Sequence, residues 1–241
     1  MIRLENVTLR FGGVTVLDGV TFSVKAGETL GLVGAGGSGK SVVMKLICGL
    51  IEPDAGRIFV GEDEVTGMTE TALMAVRGRI GMIFQNYALF DDLTVGDNIG
   101  FPLGQLGEAS PAEIAERTAR RLAQVHLPGI EHQYPRELSG GMKKRVCLAR
   151  ATIHDPRIML CDDPTAGLDP VTTHRIFRLL EQLREENSAT ALIASHETVF
   201  LRKFCDTIAY LEEGRLIFWG TVAEAEESPR VMAFMTGEGL E

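Results

Sequence analysis

Gly34-Ala35-Gly36-Gly37-Ser38-Gly39-Lys40-Ser41 is the stretch on which the fold turns. An apolar run, Thr29–Val33, leads into it. Behind it Val42, Val43, Leu46, Ile47 and Leu50 recur at helical spacing, with Gly49 near the end. Strand, glycine-rich turn and helix in that order make a phosphate-binding loop of the form G-x-x-x-x-G-K-[ST]. The glycines let backbone N–H groups wrap an anion, and the helix N-terminus adds positive potential. In such a loop Lys40 reaches the β- and γ-phosphates of a nucleotide, and Ser41 takes a Mg²⁺ ion.

Farther along, 138–142 reads Leu-Ser-Gly-Gly-Met. Ser139 is suited to cap a helix running through Val146, Leu148 and Ala149. Gly140 and Gly141 leave the first-turn N–H groups open to close approach by an anion. The chain therefore carries two phosphate-binding surfaces.

Outward from these loops the pattern is α/β. The first thirty residues alternate, broken at Gly12-Gly13, Asp18-Gly19 and Ala26-Gly27, and predict short antiparallel strands. Strands are expected at 57–60 and 80–84, with a short helical stretch between them. Ser110-Pro111-Ala112-Glu113 is a capping box that starts an amphipathic helix to Val125. The region 87–150 thus predicts a helical insertion. Then 158–161 is a wholly apolar run, as for a parallel strand buried on both faces. Asp169-Pro170 opens a helix with Ile176, Leu179, Leu180 and Leu183 on one stripe. Strands are expected at 189–194, 208–211 and 215–219, and short helices from about 221.

The 241 residues are 45% hydrophobic and 24% charged, which fits one well-cored domain with a subdomain attached. A net charge of −9 argues against a nucleic-acid-binding face. The basic cluster Lys143-Lys144-Arg145 reads as a solvated helix face. No apolar run of roughly 18 residues spans a bilayer, and the first residues lack the apolar core of an export signal. Cys48, Cys147, Cys161 and Cys205 lie far apart in apolar stretches, without a C-x-x-C pair. They are expected as buried thiols of a cytoplasmic protein.

Asp162 ends the 158–161 run, where a carboxylate can meet the metal held by Ser41. Asp163 follows it. Gln85 follows the strand ending in Ile83-Phe84, and His196 follows Ala194-Ser195, emerging at the carboxyl edge of a sheet where nucleotides bind. His196 reads either as a nucleotide contact or as a capping or packing residue. Asp169, in Ala166-Gly167-Leu168-Asp169, is also a plausible N-cap. Phe11, before Gly12-Gly13, has two readings as well: a stacking aromatic, or a core residue of the first sheet.

In type and order these motifs, from Phe11 to His196, resemble those of the ATP-binding cassette (ABC) ATPases. The resemblance implies a P-loop NTPase fold with a RecA-like core (1–86 and 151–241), an N-terminal antiparallel β subdomain and an inserted helical subdomain (87–150). It implies ATP and Mg²⁺ as ligands, with 34–41 (Gly34, Ala35, Gly36, Gly37, Ser38, Gly39, Lys40 and Ser41) on the phosphates. Phe11 then stacks on adenine. Ser41, Gln85 and Asp162 serve the metal, Gln85 senses metal and water, and His196 contacts the γ-phosphate. Ser139, Gly140 and Gly141 close on nucleotide held by a second copy, and Asp169 makes a cross-dimer contact. Asp163 stands where the family usually has Glu to orient or deprotonate the attacking water. Being one methylene shorter, it predicts slow hydrolysis, since a misplacement of roughly 1 Å can cost about 10²-fold in rate.

Within the family, Met142 replaces the usual Gln or Glu. The stretch from Phe84-Gln85-Asn86 to Phe101-Pro102-Leu103 and the tail Ser228-Pro229-Arg230 look like the ATPases of bacterial Mla/Mce-type phospholipid transport. That implies a homodimer on the cytoplasmic face of the inner membrane. Its partners would be a transmembrane permease contacting about 86–103 and an MCE-type lipid-binding protein. The alternatives are an importer ATPase for amino acids or another small solute, and a cell-division-type ATPase that signals without cargo. Met142-Lys143-Lys144 departs from the Glu-Gln-Gln continuation of that last subgroup. The zinc module or coiled coil of the DNA-repair members is not visible.

Overall fold

The computed structural model describes residues 1–107 and 109–237. They form two compact units, Met1–Arg77 with Ala189–Glu241, and Gly78–Ser188.

The first unit begins with a hairpin, β1 (Ile2–Phe11) and β2 (Val14–Val24). Its alternation buries Ile2, Leu4, Val7 and Leu9 on one side of β1 and Leu17, Val20, Phe22 and Val24 on β2. The break expected at Asp18-Gly19 is absent, and one strand runs through it. Irregular pairing of Val7 to Arg10 with β2 absorbs the twist there, and Gly19 takes a positive φ of 63°. The chain then enters β3 (Thr29–Val33), the glycine loop and α1 (Lys40–Ile47). After these come β4 (Ala55–Val60), β5 (Asp63–Glu64) and α2 (Glu70–Arg77). The antiparallel sheet has the order β2-β1-β4-β5.

The second unit contains β6 (Ile80–Ile83), α3 (Val95–Leu106), α4 (Pro111–Gln124), a 3-10 turn at Pro135–Glu137, α5 (Gly140–Thr152), β7 (Ile158–Asp162) and α6 (Pro170–Glu186). It is broader than the helical insertion expected over 87–150. β6 and β7 pair in parallel within it, and the side chains of α5 hold the segment just after β6. The expected capping box forms: Ser110 Oγ accepts from Glu113 N, and Glu113 accepts from Ser110 N at 2.7 Å.

α3 was not legible as a helix, because it contains Pro102 and three glycines. Its support is Asn98, wholly buried, whose side chain serves four backbone groups. It donates to the carbonyls of Phe90, Leu93 and Thr94 and accepts from Phe90 N at 2.9 Å. Thr94 caps the helix through Asp97 N.

The chain returns to the first unit with β8 (Thr190–Ala194), α7 (Thr198–Phe204), β9 (Thr207–Glu212), β10 (Arg215–Thr221), α8 (Val222–Glu227) and α9 (Pro229–Thr236). β3 lies between β8 and β9, parallel to both, and every residue of β3 is buried. Such a strand reads as a continuous apolar run. β10 closes that edge antiparallel to β9.

Two expectations need correction. Lys143-Lys144-Arg145 is not a solvated face: Lys144 is 2% exposed, and Arg145 is half-buried with its guanidinium on the carbonyls of Val125 and His126. Cys48, Cys147 and Cys161 are buried free thiols as expected, but Cys205 is only half-buried. Burial pushes the Cys48 thiol up to about 12.

Candidate functional site

In the first unit the parallel pairing of β3 with β8 brings two motifs to one carboxyl edge. Leu32 pairs with Ala194, so the glycine loop that follows β3 and His196, just beyond β8, leave the sheet side by side. Open α/β sheets bind ligands outside the carboxyl ends of their strands. His196 is exposed and does not pack in the core. Phe11 ends β1 opposite Val14 and is 51% exposed, which removes the reading of it as a core residue.

The loop itself is tightly built. Gly34, Gly37 and Gly39 have φ of 153°, 78° and 105°. A Cβ at Gly34 would collide with the Leu211 carbonyl and Ser38 Oγ, and one at Gly39 would stand 2.6 Å from Leu17 Cδ2. Only glycine fits such positions. Gly39 gives α1 no side-chain cap, so the positive end of the helix faces the loop directly. Lys40 Nζ donates back to the carbonyls of Gly34 at 2.7 Å and Ala35 at 2.9 Å. Ser38 Oγ is buried without a hydrogen-bond partner, as expected of a hydroxyl that awaits an anion. These residues fit a nucleotide's phosphates. Ser41, in the first turn of α1, is an oxygen ligand of the type Mg²⁺ prefers.

In the second unit β6 and β7 run parallel, with Ile83 opposite Cys161. Gln85 and the Asp162-Asp163 pair therefore emerge at the same end. Gln85 is exposed and Asp162 half-buried. Asp163 is 9% exposed with a left-handed φ of 45°. Non-glycine residues rarely occupy that region, and Asp and Asn tolerate it best.

Ser139 caps α5, as its sequence predicts, by accepting from Met142 N. Asp169 caps α6, accepting from Val171 N and Thr172 N at 3.0 Å each and from the Thr172 hydroxyl. The Thr172 hydroxyl, with these amides, holds the Asp169 carboxyl below the usual range. Both helix starts open on one groove of about 1200 Å³, lined among others by Ser139, Gly140, Gly141, Leu168 and Asp169.

The sequence reading missed what holds Gln85 and Asp163. Lys144 Nζ donates to the carbonyl of Gln85 at 2.7 Å and of Asp163 at 3.3 Å. Burial pulls its ammonium below the ordinary lysine value, opposed by Cys147, Asp163 and Asp162. One turn on, Cys147 Sγ donates to Tyr87 O at 3.0 Å. Arg150 donates to Tyr87 O at 3.0 Å and Ala88 O at 2.6 Å. The signal available was the spacing of Lys144, Cys147 and Arg150, which places them along one side of α5.

A phosphate loop, a separate small-residue loop capping a second helix and a carboxylate pair after a buried strand are the parts of an ABC cassette. The family model described as ABC transporter matches residues 17–166, and the chain belongs to that family. It is an ABC ATPase, an ATP-binding subunit that hydrolyses ATP with Mg²⁺. The methionine import ATP-binding protein of Caulobacter vibrioides is 42% identical over 226 residues, covering 93% of this chain and 68% of that protein. The methionine import ATP-binding protein 1 of Pseudomonas fluorescens is 39% identical, over 95% of this chain and 70% of its own length. Among solved structures, an ATP-binding cassette dimer in a post-hydrolysis state bound to ADP and Pi superposes with a TM-score of 0.85. It is 31% identical, over 92% of this chain and 99% of that one.

Proposed function

We propose that this chain drives a bacterial importer of methionine or another amino acid, bound to a transmembrane permease on the cytoplasmic face of the inner membrane. The observation that carries the reading is its likeness, over 93% of its length, to an ATPase named for methionine import. The phospholipid reading drawn from Met142, the stretch 84–103 and the tail 228–234 has no counterpart among these relatives. It stays as a second reading on those three features, and only that reading calls for an MCE-type partner. Among the described residues no helix is long and apolar enough to cross a membrane, so cargo passage falls to the partner.

The mechanism uses two copies head to tail. Each ATP lies between 34–41 of one copy and Ser139, Gly140 and Gly141 of the other, with Asp169 meeting the opposite copy. Phe11 stacks on adenine, and Lys40 and the loop N–H groups hold the phosphates. Ser41, Gln85 and Asp162 would hold Mg²⁺, which when bound neutralises charge on the phosphate oxygens. Asp163 orients the water for in-line attack on the γ-phosphate, and His196 contacts that phosphate. The permease contacts about 86–103, largely within the helical subdomain 87–150, which also carries the loop 138–142. Closure follows ATP binding and reopening follows hydrolysis.

Deleting the gene and measuring two fluxes tests the cargo. Loss of L-[³⁵S]methionine uptake with unchanged phospholipid distribution between the membranes supports import. Normal uptake with phospholipid accumulating in the outer leaflet overturns it in favour of the second reading.

A further inference from the structure

An ammonium held out of water is unfavourable unless its charge and its N–H groups are matched. Lys144 is 2% exposed, yet its matching comes from backbone carbonyls, those of Gln85 at 2.7 Å and Asp163 at 3.3 Å. Its Nζ also lies 4.9 Å from the centre of the Tyr87 ring, within reach of a cation–π attraction.

Of the backbone it holds, Asp163 is strained, and so is the corner two residues beyond Gln85. Asp163, Tyr87 and Ala88 have φ of 45°, 56° and 50°. Non-glycine residues persist in that region only where their surroundings over-determine them. Around Tyr87 and Ala88 those surroundings are Cys147 and Arg150; at Asp163 O they are Lys144 and the amide of Ala166, which donates at 3.2 Å.

We propose that Lys144 is a positioning residue for ATP hydrolysis, pinning the backbone of Asp163 and of Gln85 so that the carboxylate and the amide keep fixed stations. The proposal rests on the reading of Asp163 as the water-orienting carboxylate. A Glu reaches its water through a long, adjustable side chain. The shorter Asp depends on where its backbone is fixed, and a lysine on α5 fixes it. The same ammonium ties that carboxylate to the Gln85 segment, so the two elements share one anchor.

The test uses the full chain and compares wild type, Lys144→Met, Lys144→Arg and Asp163→Asn, alone and combined. Met keeps the buried stem and loses the ammonium. The expected result is a kcat lowered about 10- to 100-fold in Lys144→Met with KM for ATP nearly unchanged. Lys144→Arg recovers a large part of that loss. Added to Asp163→Asn, Lys144→Met has little further effect, because both changes strike one unit. If Lys144→Met keeps the wild-type kcat, or if its effect multiplies fully with that of Asp163→Asn, the positioning role is wrong. A slow Asp163→Asn beside a normal Lys144→Met overturns this proposal alone, whereas a wild-type rate in Asp163→Asn overturns the Asp163 reading beneath it. Should Lys144→Met not fold, Lys144→Gln decides. A lowered kcat at unchanged KM supports the role, and a wild-type kcat ends it.

Discussion

The ammonium of Lys40 donates to the carbonyl oxygen of Gly34 at 2.7 Å, so the lysine rests on the loop it belongs to. The same group is the one proposed to meet the terminal phosphates. Its resting bonds keep it aimed inward, at 8% exposure, instead of loose in solvent. Lys40→Ala is expected to lower ATP turnover by at least about 10²-fold, on the scale of losing one charge-stabilising donor. Fluorescent-nucleotide binding and phosphate release measure the two effects. Turnover near that of wild type would remove Lys40 from the chemistry.

Asp163 is the carboxylate proposed to orient the attacking water. Asp163→Asn is expected to lower hydrolysis by about 10²-fold or more, and Asp163→Glu to raise it by restoring the missing methylene. The gain comes with a stability loss on the order of 1 kcal/mol, because Glu tolerates the left-handed backbone less well than Asp. Steady-state ATPase rates and denaturant midpoints on the same preparations check both halves.

Ser139→Arg places a long cation at the cap of α5, in the groove it shares with Asp169. Nucleotide binding by a single copy should persist, while ATP-dependent dimerisation and hydrolysis are lost. Sedimentation with ATP, beside the ATPase rate, reads the difference. Normal hydrolysis would refute the shared site.

Asn98→Ala should destabilise the second unit by about 1–3 kcal/mol, since it removes four bonds at the start of α3 and leaves Phe90 N and Leu93 O without the partner they have in the wild type. A fall in the urea midpoint at constant slope is the expected signature.

Helix caps make stability depend on acid. Glu113 and Glu224 are held below the usual carboxylate range, first by backbone bonds from Ser110 and Thr221, and Asp169 by the Thr172 hydroxyl. A depressed folded value means these caps contribute fully above the unfolded value, about 4, and fade as pH falls through the lowered one. The gap in melting temperature between wild type and Ser110→Ala should therefore be open at pH 7 and largely closed near pH 2.

The parts best read from sequence are those whose signal is local. The loop 34–41, the caps at Ser110, Ser139 and Asp169, and the apolar strands 158–161 and 189–194 depend on neighbouring residues. α3 was hidden because Pro102 and its glycines oppose helix, and the four bonds of Asn98 that support it reach Phe90, Leu93 and Thr94, all before the helix begins. Lys144 was misread for a related reason. A lysine beside Lys143 and Arg145 looks solvated until the carbonyls of Gln85 and Asp163, distant in sequence, close over it. In the same way the Asp18-Gly19 break vanished because the partner strand accommodates it.

α5 begins at Gly140 and Gly141 and, with Arg150 about 15 Å farther along its axis, grips the corner at Tyr87 and Ala88. The Tyr87 hydroxyl in turn lies 3.2 Å from where a side chain at Gly140 would begin. Tyr87 therefore spans the helix from the reach of Arg150 to the first turn, its backbone held near one end and its hydroxyl beside the other, so one residue ties the corner to both ends of α5.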